Sequence, residues 1–282
     1  AVVRAGYDTL SKHGNRRIFQ AHEGEKMSRR ARYIVGCSFG KDSLATVITA
    51  VEHGEPLDEA VYCEVMFDEH ISGEVPEHRD FIYEVGIPAL KSMGIKTTII
   101  RGKRTYVSSF TRVIEKGPHA GQLNAFPLCG RCCIQRDCKI RPIEKWVRSL
   151  EGDVVQYIGL AADEQERLMK KGIQNHVSIL QKYGITKADT YEICKKHGLL
   201  SPIYEFAPRG GCFFCPNAKR PELRHLYDHH PELWARMVEL AKLPNKATEM
   251  FDRDFRFLDI DADFQLEDAQ ISISEYIDGR AG

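Results

Sequence analysis

Residues 33–50 read YIVGCSFGKDSLATVITA, and this stretch passes from β-branched residues to small polar ones and then to a helix-forming run. We predict a strand over 32–37 that leads at once into a helix over 41–53. The alternation continues with strands predicted at 59–67 and 95–101, a helix between them, and further strands and helices after the cysteine-rich stretch. Short apolar strands that alternate with helices indicate parallel βαβ units, so we predict an α/β fold with a parallel sheet covered on both faces.

Three segments follow from this pattern. Residues 1–30 are polar and basic without a sustained period, and we predict an exposed arm in which Met27 is a candidate natural start, so that the residues before it need not be native. Residues 31–205 form the predicted sheet domain, with a cysteine-rich excursion at 126–140. Residues 206–282 form a C-x-x-C segment followed by a predicted helical region.

Composition limits the classes of function. Lys plus Arg and Asp plus Glu number 40 each, so no overall charge attracts this chain to nucleic acid or to an anionic membrane. Contact with a polyanion therefore has to come from a local patch. The sequence has no run of about 18 apolar residues and no basic stretch that leads into an apolar one at its start. We expect a cytoplasmic protein with no membrane partner.

The SFGKDS turn after the first strand has the chemistry of an anion site. A strand that ends in small residues and leads straight into a helix directs backbone N–H groups and the helix dipole at one point. Gly40 permits close approach, Ser38 and Ser43 add hydroxyl donors, and Lys41 adds a mobile positive charge. Asp42 suits a Mg²⁺ ion that neutralises phosphates. The spacing differs from G-x-x-x-x-G-K and from G-x-G-x-x-G, and an ordinary capped turn is the alternative.

SFGKDS resembles the PP-loop, S-[GF]-G-x-D-S, of the ATP pyrophosphatases and of the related adenylyl-sulfate and phosphoadenylyl-sulfate reductases, members of the adenine nucleotide alpha hydrolase superfamily. Four further segments resemble family motifs in the family's order: FDEHISGEVPEHRDFI (67–82), CCIQRDCKIRPIEKW (132–146), IGLAADEQERL (158–168) and SPIYEFAPRGGCFFCP (201–216). Within the first of these four, His70 and His78 depart from the family pattern.

This resemblance implies a Rossmann-like domain that binds ATP with Mg²⁺ at the carboxyl ends of its strands. Lys41, Asp42 and Arg167 would then be catalytic, with Arg167 facing a phosphate or a sulfate. For Glu164 and Arg167, the alternative to a role at the nucleotide is a salt bridge between them on the surface. For Asp68 and Glu69, the alternative is that they cap their own loop. Carried over by position, the nucleotide site comprises Ser38, Phe39, Gly40, Lys41, Asp42, Ser43, Asp68, Glu69, Gly159 and Glu164.

The cysteines fall mainly into two groups, and in a reducing compartment such clusters indicate metal ligation rather than disulfides. The C-x2-C pair is a strong half-site, whereas the earlier group offers more sulfurs than one site needs. Because adjacent side chains tend to point apart, we predict as ligands Cys133, Cys138, Cys212 and Cys215, with Cys132 and Cys129 as alternates. Resemblance to cluster-bearing reductases favours a [4Fe–4S] cluster, and a zinc ion is the alternative.

Two features favour ATP chemistry over sulfonucleotide reduction. Reductases of this family carry a cysteine on a C-terminal tail, whereas no cysteine follows Cys215, and ATP-cleaving members share the Lys-Asp-Ser of the turn. We therefore predict an adenylating, pyrophosphate-releasing sulfur transferase. Its sulfur donor would be sulfide or a cysteine desulfurase, its acceptor a nucleic acid or a small metabolite, and its assembly a monomer or a homodimer. A sulfonucleotide reductase and a non-catalytic nucleotide or cluster sensor are the alternatives.

Overall fold

The computed structural model describes residues 30–127, 132–168 and 176–278. Contacts divide the chain into two units, residues 1–30 and residues 31–282. The second unit contains all the elements described below. None of the helices in these described ranges is both long enough and apolar enough to cross a membrane.

A parallel sheet forms the centre of the second unit, and in the described residues it has five strands in the order β3-β2-β1-β4-β5. Each neighbouring pair is parallel. This order is that of a Rossmann-like sheet, which confirms the predicted fold class. The strands are β1 (Arg32–Gly36), β2 (Glu59–Glu64), β3 (Lys96–Arg101), β4 (Val154–Tyr157) and β5 (His176–Val177).

Helices connect these strands, as the alternating pattern predicts. Between β1 and β3 lie α1 (Lys41–Glu52) and a helical run of α2 (Pro76–Asp80), a π-helical turn (Phe81–Gly86) and α3 (Ile87–Ser92). Before β4 lie α4 (Tyr106–Phe110), a π-helical turn (Gln135–Ile140) and α5 (Arg141–Arg148). After β4 come α6 (Gln165–Leu168), α7 (Ile179–Lys182), α8 (Lys187–Lys196), a 3₁₀ turn (Pro202–Glu205), α9 (Arg220–His229), α10 (Pro231–Ala241) and α11 (Phe257–Asp278).

Helix α8 begins and ends where its sequence predicts. The Thr186 hydroxyl accepts the backbone N–H of Asp189, and the Asp189 carboxylate accepts the backbone N–H of Thr186, which makes a capping box. Gly198 follows the helix with φ +66°, a conformation that glycine adopts without steric cost. The capped helix packs against α1, and this places it beside the SFGKDS turn.

The strand order places the loops after β1 and β4 side by side. From β1 the chain passes to β2 and β3 on one side of the sheet, whereas β4 and β5 lie on the other. At such a reversal the connecting loops separate and leave a crevice at the carboxyl ends of the strands, where ligands bind in folds of this kind. The SFGKDS turn follows β1, and Gly159 and Glu164 follow β4. Topology therefore brings these two predicted segments to one crevice.

Two hydrophobic clusters support this arrangement. One lies around the sheet, where apolar residues of β1, β2 and α1 pack with Leu180 and Cys194 from the later helices. The other is rich in aromatic rings and joins the loops after β2 and β3 to the C-terminal helices, with Phe67, Phe214 and Trp234 among its buried members. The C-x2-C segment therefore folds into the second cluster rather than forming a separate unit.

A buried carboxylate ties three strands together. Glu59 in β2 has 1% of its side chain exposed, accepts hydrogen bonds from Arg32 of β1 and Thr98 of β3, and forms a 2.9 Å ion pair with Lys96 Nζ. Burial alone would raise the pKa of Glu59, but the hydrogen bonds from Thr98 and Lys96 outweigh it, so the pKa lies below the usual glutamate value.

We expect Glu59→Gln to lower the free energy of unfolding at pH 7 by about 1–3 kcal/mol, the size of hydrogen bonds to charged groups. Because the folded-state pKa is depressed, this contribution is present above the unfolded-state pKa and is lost as the pH falls through the folded-state pKa. Urea unfolding of both proteins at a series of pH values from neutral to acidic is the measurement. A constant difference between them at every pH would contradict the prediction.

Candidate nucleotide and cysteine site

A cavity of about 540 Å³ brings the predicted nucleotide site and the predicted metal site together. Its volume suits a small-molecule ligand. Residues of the SFGKDS turn line one side, and cysteines of both groups line another. The predicted site residues among its lining are Ser38, Gly40, Lys41, Asp42, Ser43, Glu164, Arg167, Cys132, Cys212 and Cys215.

Phe39 gives the backbone of the turn an unusual conformation. This residue has φ +56°, in the left-handed region that few non-glycine residues adopt. Its side chain is fully buried and packs edge-on against Tyr62, with the ring centroids 5.6 Å apart. A Cβ atom at Gly86 would come within 2.5 Å of the Phe39 ring. Packing therefore fixes the strained residue, as is common at ligand sites.

Helix α1 begins at Lys41 without a side-chain cap. Its preceding residue, Gly40, is extended, and both Gly40 and Ser43 line the cavity. The first-turn N–H groups of a helix have no partner within the helix, and they carry the positive end of its dipole. The structure therefore provides the anion-binding feature that the sequence pattern predicts at this turn.

Two residues outside the predicted site brace the turn. The Tyr204 hydroxyl accepts the Lys41 backbone N–H at 2.8 Å. Buried His78 donates from Nε2 to the Ser38 carbonyl at 3.1 Å, and its Nδ1 lies 2.8 Å from the Ser201 hydroxyl. Both His78 and Tyr204 fall in segments that resemble family motifs, but their contacts to the turn span long sequence separations that no local pattern predicts.

The side chain of Lys41 is held by α8 at the edge of the cavity. Its Nζ donates to Asp42 Oδ1 at 2.7 Å, to Thr190 Oγ1 at 2.9 Å and to the Lys187 carbonyl at 3.2 Å. Thr190 is fully buried, and its hydroxyl also lies 2.8 Å from Asp42 Oδ1. The two predicted catalytic residues of the turn thus share one hydrogen-bond network with α8.

Glu164 and Arg167 form a salt bridge of 2.6 Å and both line the cavity. Glu164 also pairs with Lys187 at 3.0 Å and accepts the Ala161 N–H. Burial would raise the pKa of Glu164, but its partners Arg167 and Lys187 hold it below the usual value. The structure thus contains the salt bridge that the sequence offered as the alternative. Contact between Arg167 and a phosphate stays a prediction.

Gly159 is required by close packing. A Cβ atom there would lie 2.9 Å from the Asp42 carbonyl carbon and 3.1 Å from the Ser43 nitrogen, closer than ordinary contacts allow. Strand β4 therefore leads directly against the first turn of α1. Gly159 positions the turn by its lack of a side chain.

We expect Gly159→Ala to displace the first turn of α1 and to lower the free energy of unfolding by about 1–3 kcal/mol, the usual cost of overpacking. Gly36→Ala is the matched control, because a Cβ atom there meets nothing within 4 Å. Urea unfolding of the two variants measures the difference. Equal stability of the two variants would contradict the packing role of Gly159.

Asp68 and Glu69 are absent from the described residues that line the cavity. Asp68 Oδ1 accepts the backbone N–H groups of His70 at 2.9 Å and Ile71 at 2.8 Å, and its Oδ2 accepts from Arg236 at 3.1 Å. Burial opposes ionisation, yet these bonds keep the pKa of Asp68 below its usual value. Asp68 thus caps its own loop, which was the alternative interpretation, and its role with a nucleotide stays a prediction.

The buried hydroxyl of Tyr106 lies close enough to the cysteines to be affected by their charge. This hydroxyl has no hydrogen-bond partner among the described residues. Burial, and then the nearby negative charge of the cysteine thiolates, raises the pKa of Tyr106 well above its usual value; those cysteines are Cys132, Cys133, Cys212 and Cys215. An orphaned polar atom beside four thiols fits a site that is completed by a bound inorganic group.

The structure places Cys138 differently from this group. It is fully buried in the C-terminal hydrophobic cluster, its backbone carbonyl accepts from the Cys63 thiol at 3.4 Å, and its own thiol bonds with Ser109. Cys138 is absent from the described cavity lining, whereas its alternate Cys132 is present. The other alternate, Cys129, lies outside the described residues.

The remaining described cysteines are packed in the core. Cys37, Cys63 and Cys194 are each at most 2% exposed. Burial raises the pKa of Cys37 and Cys63 to about 11 and that of Cys194 to about 12. These thiols are therefore protonated at neutral pH and are poor nucleophiles.

The spacing of the cysteine sulfurs bears on the choice of metal. A tetrahedral zinc ion with Zn–S bonds of about 2.3 Å brings its sulfurs within roughly 4 Å of one another. In the described ranges no three cysteine sulfurs lie within 4.8 Å of one another. The described cysteines are therefore not arranged as three ligands of one preformed tetrahedral zinc site, and the choice between a cluster and zinc stays a prediction.

Comparison with known proteins gives little further information. No family model matches the chain, and no curated protein matches it in sequence. Among solved structures, it is similar to the U34-tRNA thiolase NcsA from Methanococcus maripaludis with its [4Fe-4S] cluster, with a TM-score of 0.38 and 14% identity over 80% of this chain and 81% of that one. Similarity at this level assigns neither a family nor an activity.

Proposed function

We propose that this protein is an ATP-cleaving, pyrophosphate-releasing sulfur transferase of the PP-loop type. One observation carries the proposal: the SFGKDS turn and cysteines of both groups line the same cavity. A nucleotide bound at the turn would therefore lie beside the group that the cysteines hold. Sulfur transfer to a carbon activated by adenylation requires such a juxtaposition, whereas a structural metal clip does not.

The turn supplies the chemistry for the first step. ATP would bind with its phosphates against the start of α1, and an oxygen of the acceptor would attack the α-phosphorus, so that pyrophosphate leaves with the bonding electron pair. Preorganised N–H donors and the Lys41 ammonium would stabilise the negative charge that develops on the leaving group. Asp42 is the candidate ligand for the Mg²⁺ ion that neutralises the phosphates.

The cysteines that we propose as ligands of a [4Fe–4S] cluster are Cys132, Cys133, Cys212 and Cys215, the four whose charge affects the unpartnered Tyr106 hydroxyl. This set replaces Cys138 of the sequence prediction by Cys132. With four protein ligands each iron of the cluster carries one thiolate, so the bound cluster would hold the C-terminal region in place and the transferred sulfide would come from the donor. Of these four, Cys132, Cys212 and Cys215 line the same cavity as the turn, and Cys133 is absent from the described lining.

The sulfur donor would be sulfide or a cysteine desulfurase. The acceptor would be a nucleic acid or a small metabolite with an oxygen that can be adenylated.

Anaerobic purification followed by iron and sulfide analysis tests the cluster, and a pyrophosphate assay with ATP, Mg²⁺ and sulfide tests the reaction. We expect about four irons and four sulfides per chain, with AMP and pyrophosphate formed in equal amounts when an acceptor is present. Calorimetry that finds no affinity for ATP, with and without Mg²⁺, would overturn the enzymatic proposal. Formation of ADP and phosphate instead would overturn the adenylation step.

A further inference from the structure

A second group of metal-ligating side chains lies apart from the cavity. Glu77 is in the first turn of α2, His225 is in α9, and His230 joins α9 to α10. Glu77 Oε1 lies 2.7 Å from His225 Nε2 and 3.0 Å from His230 Nε2. A metal ion can be bound by His, Cys, Asp or Glu side chains. In the part of the chain that the structure describes, Glu77, His225 and His230 form the one group in which three such ligand atoms lie within 4.8 Å of one another.

Hydrogen bonding alone leaves this group incomplete. Both imidazoles approach the same carboxylate oxygen, while the other oxygen, Glu77 Oε2, is buried and has no hydrogen-bond partner among the described residues. A buried carboxylate oxygen without a partner is costly, and it indicates an ion or water that the protein atoms do not supply.

The rings are also held in place, as metal ligands are. The His225 ring stacks on Phe206, with centroids 3.6 Å apart and planes at 5°. His230 Nδ1 lies 4.0 Å from a carboxylate oxygen of exposed Glu232, beyond hydrogen-bond distance, and is therefore open to solvent or to a proton. The side chains of His225 and His230 remain 17% and 15% exposed, so that solvent can reach the group.

We propose that Glu77, His225 and His230 bind a divalent first-row transition-metal ion, for which Zn²⁺ is the probe. Two imidazoles and one carboxylate are an established donor set for such ions, with water completing the coordination. On binding, each neutral imidazole would place its proton on Nδ1 and coordinate through Nε2, so no net proton release is required. The ion would tie α2, next to the sheet, to the α9–α10 region. This proposal is independent of the proposed function.

The test is a zinc titration of the full chain against a chromophoric chelator, in a Cys212→Ser/Cys215→Ser background that weakens the competing cysteine group. We expect one equivalent of Zn²⁺. His225→Ala and His230→Ala should each weaken binding more than about tenfold, since losing even an outer partner of a ligand costs that much. His119→Ala is the matched control, because His119 is exposed and bonds only to Gln122 among the interactions described for its side chain.

Cobalt distinguishes the two groups of ligands. Co²⁺ bound in this background should show visible absorption without the intense near-ultraviolet band of thiolate ligation. Zn²⁺ should raise the melting temperature of the background protein and not that of the histidine variants. Glu77→Gln keeps a hydrogen-bond acceptor for the folded state but removes the charge, so it should weaken Zn²⁺ binding with little change in metal-free melting. Equal zinc affinity in the histidine variants and the His119→Ala control, or no zinc bound by a normally folded background protein, would overturn the proposal.

Discussion

Replacement of Lys41 by Ala is expected to slow pyrophosphate release from ATP by at least about a hundredfold, which is the usual effect of removing one preorganised charge-stabilising donor. The Lys41 ammonium belongs to the first residue of α1 and is held in place by Asp42, Thr190 and the Lys187 carbonyl. Its loss removes stabilisation of the leaving group, not a core contact, because Thr190 still bonds to Asp42 in its absence.

Steady-state assays of pyrophosphate formation, with ATP affinity from calorimetry, separate the two possible effects. We expect kcat to fall far more than ATP affinity, since the charge that Lys41 stabilises develops on the departing pyrophosphate. Lys91→Ala is the matched control, because Lys91 is exposed on α3 and is absent from the described cavity lining. Pyrophosphate release by Lys41→Ala at the rate of the control would show that the turn does not carry the reaction.

Loss of the bound cluster is the expected result of Cys132→Ala and of Cys212→Ala, whereas Cys138→Ala is expected to retain it. Both Cys132 and Cys212 line the cavity, whereas Cys138 is fully buried and is absent from the described cavity lining. A missing thiolate leaves one iron without a protein ligand, and such clusters are lost readily. Iron and sulfide content after anaerobic purification, with the absorption spectrum, is the measurement.

The stability of the Cys138→Ala variant has to be measured together with its iron content. Because Cys138 is fully buried, its truncation leaves a small cavity that should lower the free energy of unfolding by about 1–2 kcal/mol without affecting metal content. Urea unfolding shows whether each variant is folded before its iron is counted. Retention of iron by Cys132→Ala together with its loss from Cys138→Ala would restore the ligand set that the sequence predicts.

The fold was predictable because its signals are local. Strands β1 to β3 are short apolar or β-branched runs, and α8 carries both its capping box and its terminal Gly198 in sequence. Two features lack such signals. Strand β5 is two residues long, His176–Val177, and exists by pairing with β4. The π-helical turn at Phe81–Gly86 adds residues within a helix whose apolar pattern looks continuous.

The site was predictable in part, for the same physical reason. The SFGKDS turn and the C-x2-C pair are contiguous motifs, so their residue types could be interpreted from sequence. Choosing among Cys132, Cys133 and Cys138 depends on which sulfur faces the cavity, and that is decided by packing against distant segments. The bracing by His78 and Tyr204, and the pairing of Glu77 with two histidines of the C-terminal region, likewise arise only when the chain folds.

The hydrogen bond from the Lys41 N–H to the Tyr204 hydroxyl has a mechanical consequence. Tyr204 belongs to the same stretch of chain that leads to Cys212. A phosphate that accepted this N–H would replace the Tyr204 hydroxyl as its acceptor, and the segment that leads to Cys212 would lose this bond. The start of α1 and the segment that carries Cys212 are thus linked through a single hydrogen bond.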